Sequence, residues 1–264
     1  MRLILGVLMA AALSPVAARA DDGPAATHAT PADAVRGYGE AVAERDPAKL
    51  ARAFQPSAIA YRLEGGAVTA TYQAQWKARL AKASEPAISA MTIERIDAGQ
   101  TTALARVRAI RDGQPFVDYV LLARLSGGWR IVGTLCQPEA AESPASAAGV
   151  AAVVDAKLAA DRAWDAARLG ETLDPRALVT SVEDGEFVAA SVAEWQARYR
   201  DRRATSAGAT FALTSQVVEA RGDIGMARWS FRSASGEWTD RALLLKTASG
   251  WRMIALLFVK EAPL

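Results

Sequence analysis

The segment Ala74-Gln75-Trp76-Lys77-Ala78-Arg79 returns as Ala193-Glu194-Trp195-Gln196-Ala197-Arg198, an offset of 119 residues from Trp76 to Trp195. Further on, Gly128-Trp129-Arg130-Ile131 returns as Gly250-Trp251-Arg252-Met253, an offset of 122, and Asp118 meets Asp240 at that same later offset. A chain that writes one pattern twice across nearly its whole length must fold as two copies of one unit. Each copy has the size of an ordinary small domain. The change of offset puts a three-residue insertion between the repeated helix and the strands that follow, where a connecting loop tolerates it.

Each half opens with helical signals. Thr30-Pro31-Ala32-Asp33 offers an N-cap hydroxyl, a proline at the first helical position and a returning acid, ahead of Val35, Tyr38 and Val42 at helical spacing. Asp46 caps a second short helix bearing Leu50 and Phe54, and Asp165 its counterpart bearing Leu169 and Leu173. A third helix carries Trp76 and Leu80; in the second half Ser191 and Glu194 form a capping box before Trp195 and Tyr199. Strands follow over Ile88 to Asp97, Thr101 to Arg111, Pro115 to Leu125 and Trp129 to Leu135, parted by Gly99, Asp112-Gly113 and Gly127-Gly128. The same meander recurs from Phe211 to Val259. Helices first and antiparallel hairpins after predict an α+β class: about three N-terminal helices packed on a curved antiparallel sheet, in tandem.

The ends and joints are compositional. Arg2, the apolar run Leu3 to Leu13 and Ala18-Arg19-Ala20 read as an export signal over residues 1–20. A flexible leader is expected over 21–29, a first domain over 30–137, a linker over 138–148 and a second domain over 149–264. The expected location is secreted, in the periplasm. No membrane anchor is expected, since the apolar run is short and no cysteine follows the cleavage site. Cys136 is the single cysteine, so no intramolecular disulfide can form. Removal of Arg2 and Arg19 takes the 31 basic residues down to the number of acidic ones, 29. An electroneutral mature chain argues against a nucleic-acid partner. The cluster Arg198, Arg200, Arg202 and Arg203 reads as a solvated helix end, or else as an anion-binding patch.

Phe116-Val117-Asp118-Tyr119-Val120-Leu121-Leu122 followed by Gly127-Gly128-Trp129-Arg130-Ile131-Val132, after three helices, resembles NTF2-like (SnoaL-like) proteins, and within them most nearly the lumazine-binding branch. The first half fits nearly throughout. The second fits more loosely, with Arg241 where the first has Tyr119. The resemblance implies cone domains, each with a pocket between helices and concave sheet, and a convex face that pairs two domains. Here the tandem copies can pair as an intrachain pseudo-dimer, because Phe116, Val120 and Leu122 alternate with Val117, Tyr119 and Leu121 and both faces need cover.

Catalytic relatives of that kind work with an Asp, His or Tyr in the pocket. The one histidine, His28, falls in the leader, which excludes a His-Asp, Ser-His or Cys-His arrangement inside either domain. One cysteine and one leader histidine cannot make a zinc site, and no calcium-type loop occurs. Glu183-Asp184-Gly185-Glu186 reads as a hairpin turn, and Gly37-Tyr38-Gly39 lacks the third glycine and the preceding strand of a phosphate loop. No cofactor is expected.

Asp118 and Asp240 interrupt apolar strands and are the acid/base candidates. With the hairpin centred on Asp112-Gly113, Arg108 falls roughly opposite Asp118, which favours a structural ion pair over a general base. Tyr38, Tyr61, Tyr72, Trp76, Phe116 and Asp118 are the expected lining of the first pocket, Tyr61 supplying a hydroxyl; Trp195 matches Trp76, and Thr180 matches Tyr61. Trp129 and Trp251 are read as hairpin packing. The leading expectation is a non-catalytic protein holding a small apolar or aromatic molecule in the first domain. The alternatives are a cofactor-independent isomerase, dehydratase or hydrolase using Asp118 or Tyr61, and a protein–protein assembly or accessory module.

Overall fold

The computed structural model describes residues 28–82, 88–183, 185–206 and 208–261. The export signal, residues 21–27 of the leader and Asp184 lie outside them. The first half runs α1 (Pro31–Ala43), α2 (Pro47–Ala53), β1 (Phe54–Glu64), β2 (Ala67–Tyr72), α3 (Gln73–Ala81), β3 (Ile88–Ala98), β4 (Thr102–Arg111), β5 (Gln114–Leu125) and β6 (Gly128–Pro138). The capping chemistry is as written in the sequence. Thr30 accepts from the Asp33 N–H while Asp33 returns a bond to the Thr30 N–H, and Asp46 accepts from the backbone of Ala48 and Lys49; a cap of this kind is worth about 1 kcal/mol. Asp112 and Gly113 both have positive φ, 47° and 78°, the two left-handed residues that a tight hairpin turn needs.

The second half repeats the order: α4 (Pro144–Ala163), α5 (Ala166–Thr172), β7 (Leu173–Glu183), β8 (Glu186–Ser191), α6 (Val192–Thr205), β9 (Phe211–Arg221), β10 (Ile224–Ser233), β11 (Gly236–Thr247) and β12 (Gly250–Lys260). Residues 144–148, assigned to the linker by composition, are helical. Ser143 caps them and Pro144 takes the first turn, so an alanine-rich stretch that resembles a spacer is in fact the start of a 20-residue helix.

Each half carries a six-stranded sheet, ordered β2-β1-β6-β5-β4-β3 and β8-β7-β12-β11-β10-β9. The meander strands pair antiparallel, but β1 lies parallel to β6 and β7 parallel to β12. The sheets are therefore mixed, because the first strand of each half reaches the last only after the chain has crossed over.

Side chains alternate between the two faces of each strand, and the central strands β5, β6 and β11 are buried on both. The inner faces pack on the helices: Val107, Val120, Leu122 and Ile131 join Val35, Tyr38, Leu50 and Leu80 in one core, and Ala227, Ala242, Leu244 and Leu256 join Val150, Val154 and Leu158 in another. The outer faces pack on each other, since Ile59, Leu104, Leu121 and Leu135 share a third core with Ile224, Leu243, Ile254 and Leu257. Each such side chain taken from water contributes about 1.5 to 3 kcal/mol, so the junction is a hydrophobic core in its own right.

That junction is two-fold in its logic. Gly133 and its own equivalent Ala255 meet at the centre, where a Cβ on Gly133 would stand 3.6 Å from the Cβ of Ala255. Toward one end Arg106 pairs with Glu219 at 2.7 Å, and Tyr119 donates to the same carboxylate at 2.9 Å. Toward the other, Arg228 pairs with Asp97 at 3.0 Å, joined by Arg241 at 3.2 Å. Arg106 and Arg228, Asp97 and Glu219, and Tyr119 and Arg241 are each related by the offset of 122. Residue i touches j and the equivalent of j touches the equivalent of i, as across the interface of a symmetric dimer.

Candidate functional site: two unlike interiors

In the first domain, Tyr38 of α1, Phe54 at the start of β1 and Trp76 of α3 meet edge to face, with ring centroids 5.2–5.5 Å apart. None is more than 5% exposed. Against them the sheet presents Asp118, whose Oδ2 accepts from the Tyr38 hydroxyl at 3.0 Å and from Arg111 at 2.5 Å, while Arg111 also donates to the Tyr38 oxygen at 2.7 Å. Phe116 lies beneath two guanidinium groups, 5.0 Å from Arg62 and 5.7 Å from Arg111. Burial raises the Tyr38 phenol well above its ordinary value and pushes the Cys136 thiol, across the ladder from Asp118, up to about 12.

Three of the expected positions are corrected. Arg108 is not the partner of Asp118: the register sets Val107 opposite Asp118 and Arg108 opposite Val117, so Arg108 emerges on the other face and pairs with Glu139 at 2.9 Å. A one-residue error flips a side chain across the sheet, and the true partner, Arg111, sits on the same face further along the hairpin. Tyr61 faces the interdomain core with Ile59 and Leu63, its hydroxyl donating to the Arg176 carbonyl at 3.2 Å. Tyr72 precedes α3 on the surface, 52% exposed. Tyr38, Trp76, Phe116 and Asp118 do gather on the inner face, but as interlocked, buried side chains. Tyr61 and Asp118 are thus on opposite faces and cannot share one reaction.

The second interior keeps the carboxylate and rebuilds everything around it. Asp240 accepts from Lys157 at 2.9 Å, and Lys157 also holds Asp161 at 2.6 Å; Tyr199 donates to Asp161. By offset, Lys157 stands where the first domain has Tyr38, Ser233 replaces Arg111, and Tyr199 replaces Leu80. The cation therefore comes from a helix instead of a strand. Burial raises the Asp240 carboxyl, and the paired acids hold the Lys157 ammonium well above its usual range against its own burial. Directly across the ladder, the Trp229 indole hydrogen-bonds the Asp240 side chain and opposes that rise.

Above this floor runs a continuous aromatic wall. Centroid distances are 5.2 Å for Trp164 to Tyr199, 6.3 Å for Tyr199 to Trp195, 5.2 Å for Trp195 to Phe258 and 6.3 Å for Phe258 to Trp238. Trp238 then stacks with Phe231 at 6.5 Å, and Phe231 meets Phe211 at 4.8 Å. Unlike the triad of the first domain, Trp164, Phe211, Phe231, Trp238 and Phe258 are only half-buried. The arginine cluster of α6 belongs to this wall: Arg198 lies 4.7 Å over Trp195, Arg202 4.7 Å over Trp164, and Arg162 4.6 Å over Phe211. Cations at the faces of rings gain about 0.5–1 kcal/mol each at exposed sites and place positive charge along the wall.

Thr180, the counterpart of Tyr61, is buried and donates to the Leu256 carbonyl at 2.8 Å. His28 is no loose leader residue: its carbonyl accepts the Trp129 N–H at 2.9 Å. Glu183 and Glu186 flank a turn with Gly185 at φ 80°. Among the described residues no group of three potential metal ligands gathers, and no helix is long and apolar enough to cross a membrane.

The profile of the family described as "Putative lumazine-binding" matches twice, over residues 26–135 and 145–259. Among solved structures, an NTF2-like protein of unknown function from Silicibacter pomeroyi is 22% identical, with a TM-score of 0.37 over 42% of this chain and 92% of that one. Another from Shewanella baltica is 21% identical, with a TM-score of 0.36 over 40% and 87%. A third from Pseudomonas putida is 14% identical, with a TM-score of 0.41 over 47% and 92%. No curated protein matches.

Proposed function

Given that the chain belongs to the family described as lumazine-binding, as two tandem NTF2-like domains, we propose that it is a binding protein for a small, flat, aromatic molecule, held on the inner face of its second domain. The observation that carries this reading is the half-buried aromatic wall from Trp164 to Phe211, standing over the Lys157–Asp161–Asp240 cluster. Stacking on one such ring is worth about 0.5–1.5 kcal/mol beyond the area it covers, and several rings lie within reach of one ligand. Arg162, Arg198 and Arg202, over the faces of three rings, favour an anionic substituent.

The first domain serves this reading as a scaffold. Its own aromatic residues fill the space that a ligand would need, which moves the expected pocket from the first domain to the second. The N-terminal signal read from Arg2, Leu3 to Leu13 and Ala18-Arg19-Ala20 supports a periplasmic location.

Native mass spectrometry of the protein purified from the periplasm tests it. An added mass that departs on denaturation is expected, and Trp238→Ala should deplete it while Trp76→Phe leaves it in place. Equal occupancy in wild type and Trp238→Ala would sink the assignment to the second domain.

A further inference from the structure

The two ends of the junction use the same positions but supply different acids. At the first, Arg106 meets three carboxylates, Glu94 at 2.8 Å, Glu219 at 2.7 Å and Glu142 at 3.3 Å. Glu142 also takes Arg221 at 2.9 Å, so it bridges two guanidinium groups. It belongs to the segment that leaves β6 at Glu139, whose N–H donates to the Pro115 carbonyl. The chain leaves β12 in the same way, the Glu261 N–H donating to the Glu237 carbonyl. The offset of 122 then sets Gln216 in the place of Glu94 and Leu264 in the place of Glu142. Of the three side-chain carboxylates, the second end keeps the counterpart of Glu219 alone, as Asp97.

The two cations remain. Arg228 stands where Arg106 does, and Gly99 replaces Arg221. Arg241 fills the place so vacated, since a Cβ on Gly99 would lie 3.3 Å from its Nη2. Arg228 and Arg241 are direct partners across the β10–β11 ladder, and like charges so placed repel. Among the described residues Asp97 is the one carboxylate in salt-bridge reach of both, at 3.0 Å and 3.2 Å; Glu261 acts on Arg241 only from beyond that distance. Arg228 spends Nε on Asp97 and Nη1 on the Ser215 hydroxyl. Arg241 is 2% exposed, and its Nε and Nη1 are buried with no hydrogen-bond partner among the described residues. A donor held in this way has given up water without gaining an acceptor.

We propose that this end of the junction is a binding site for one small carboxylate anion, which bridges Arg228 and Arg241 as Glu142 bridges Arg106 and Arg221. A single negative charge fits: together with Asp97 it matches the two guanidinium groups, whereas a dianion exceeds them. Guanidinium groups recognise a carboxylate through charge-assisted hydrogen bonds to its two oxygens. The anion enters beside Asp97 and Arg228, whose side chains are 20% and 24% exposed. The site lies on the outer faces of the sheets, apart from both interiors, and its occupancy does not depend on the small-molecule reading.

The probe is sodium acetate, titrated into the intact mature protein against sodium chloride at equal ionic strength, with the Nε–H resonances of Arg228 and Arg241 followed by NMR. Saturable shifts of both resonances with one common midpoint are expected for acetate, and binding about tenfold weaker for chloride, which lacks the second oxygen of a two-point contact. Arg241→Tyr, which installs the residue the first domain carries at this place, should abolish the Arg228 response. Arg232→Ala, on the same strand but paired with Glu237, should leave both responses unchanged. Absence of saturation at molar acetate, an equal response to chloride, or an unchanged Arg228 response in folded Arg241→Tyr would each overturn the proposal. A response that appears only once residues 262–264 are removed would overturn it in favour of the chain's own tail as the resident.

Discussion

Arg106 and Arg228 occupy the same place in the two domains and each reaches across to an acid of the other, Glu219 at 2.7 Å and Asp97 at 3.0 Å. The two ends differ in their support: Glu219 also takes the Tyr119 hydroxyl and, at 3.7 Å, Arg95, while Arg106 keeps Glu94 at 2.8 Å, whereas Asp97 is shared by Arg228 and a second, buried cation, Arg241. Burial pushes the Arg241 guanidinium down to about 10, the mark of a charge that depends on its partner. Asp97→Asn should therefore cost more than Glu219→Gln, about 3 against about 2 kcal/mol, since it leaves two guanidinium groups uncompensated. Urea unfolding of the two variants measures the order, and the reverse order would refute the account.

The contact of Gly133 with Ala255 sets a steric limit at the centre of the junction. A methyl group at Gly133 would meet Ala255 at 3.6 Å, ordinary contact distance, so Gly133→Ala should lie within about 0.5 kcal/mol of wild type. Gly133→Phe must part the sheets and should cost about 3 kcal/mol, with thermal unfolding splitting into two transitions. A single, unshifted transition for Gly133→Phe would place the junction elsewhere.

Among the described residues, Lys157 is the cation that pairs with both Asp161 and Asp240 inside the second domain. Lys157→Met keeps the volume and leaves both carboxylates without their cation, for an expected loss of about 3–5 kcal/mol. Adding Asp240→Asn should recover part of that loss. If the double variant is no more stable than the single one in denaturant, the cluster does not act as a unit.

Cys136 is buried and its thiol is pushed up from 9.0 to about 12, chiefly by desolvation. Iodoacetamide at pH 8 should leave the native protein unmodified and alkylate it fully in urea. Because the native state holds this proton more tightly than the unfolded chain, the associated stability is complete below pH 9 and is lost as pH rises from about 9 toward about 12. The pH slope of Cys136→Ala should be flatter than that of wild type over this window; parallel slopes would contradict the assignment.

Much of the architecture was legible because it is periodic. The repeat offsets, caps and glycine turns located the helices and meander strands to within a few residues, and the alternation in β5 identified two buried faces. Pairing was harder. Nothing local specifies that β1 lies parallel to β6, and a one-residue error in register assigned Asp118 to Arg108 instead of Arg111. Tyr61 was misplaced for the same reason, although Ile59, Tyr61 and Leu63 alternate with smaller or charged residues in a way that marks a single outward face. The aromatic wall was missed because its rings come from the end of α4, from α6 and from four strands, with no shared motif. One signal was present: five of the seven tryptophans lie in the second half, an excess that one more copy of the same core does not require.

Fusion changes what the pseudo-symmetric junction can be. Two separate subunits would have to find each other, and below their dissociation constant they would part, exposing Leu121, Leu243 and their neighbours to water. Joined through the segment between β6 and α4, the halves meet at an effective concentration fixed by the chain itself, so dilution cannot separate them. A symmetric pair must also change both copies of a residue at once, whereas this chain carries Tyr119 on one side and Arg241 on the other. It can therefore build its two interiors from different residues while keeping a single fold.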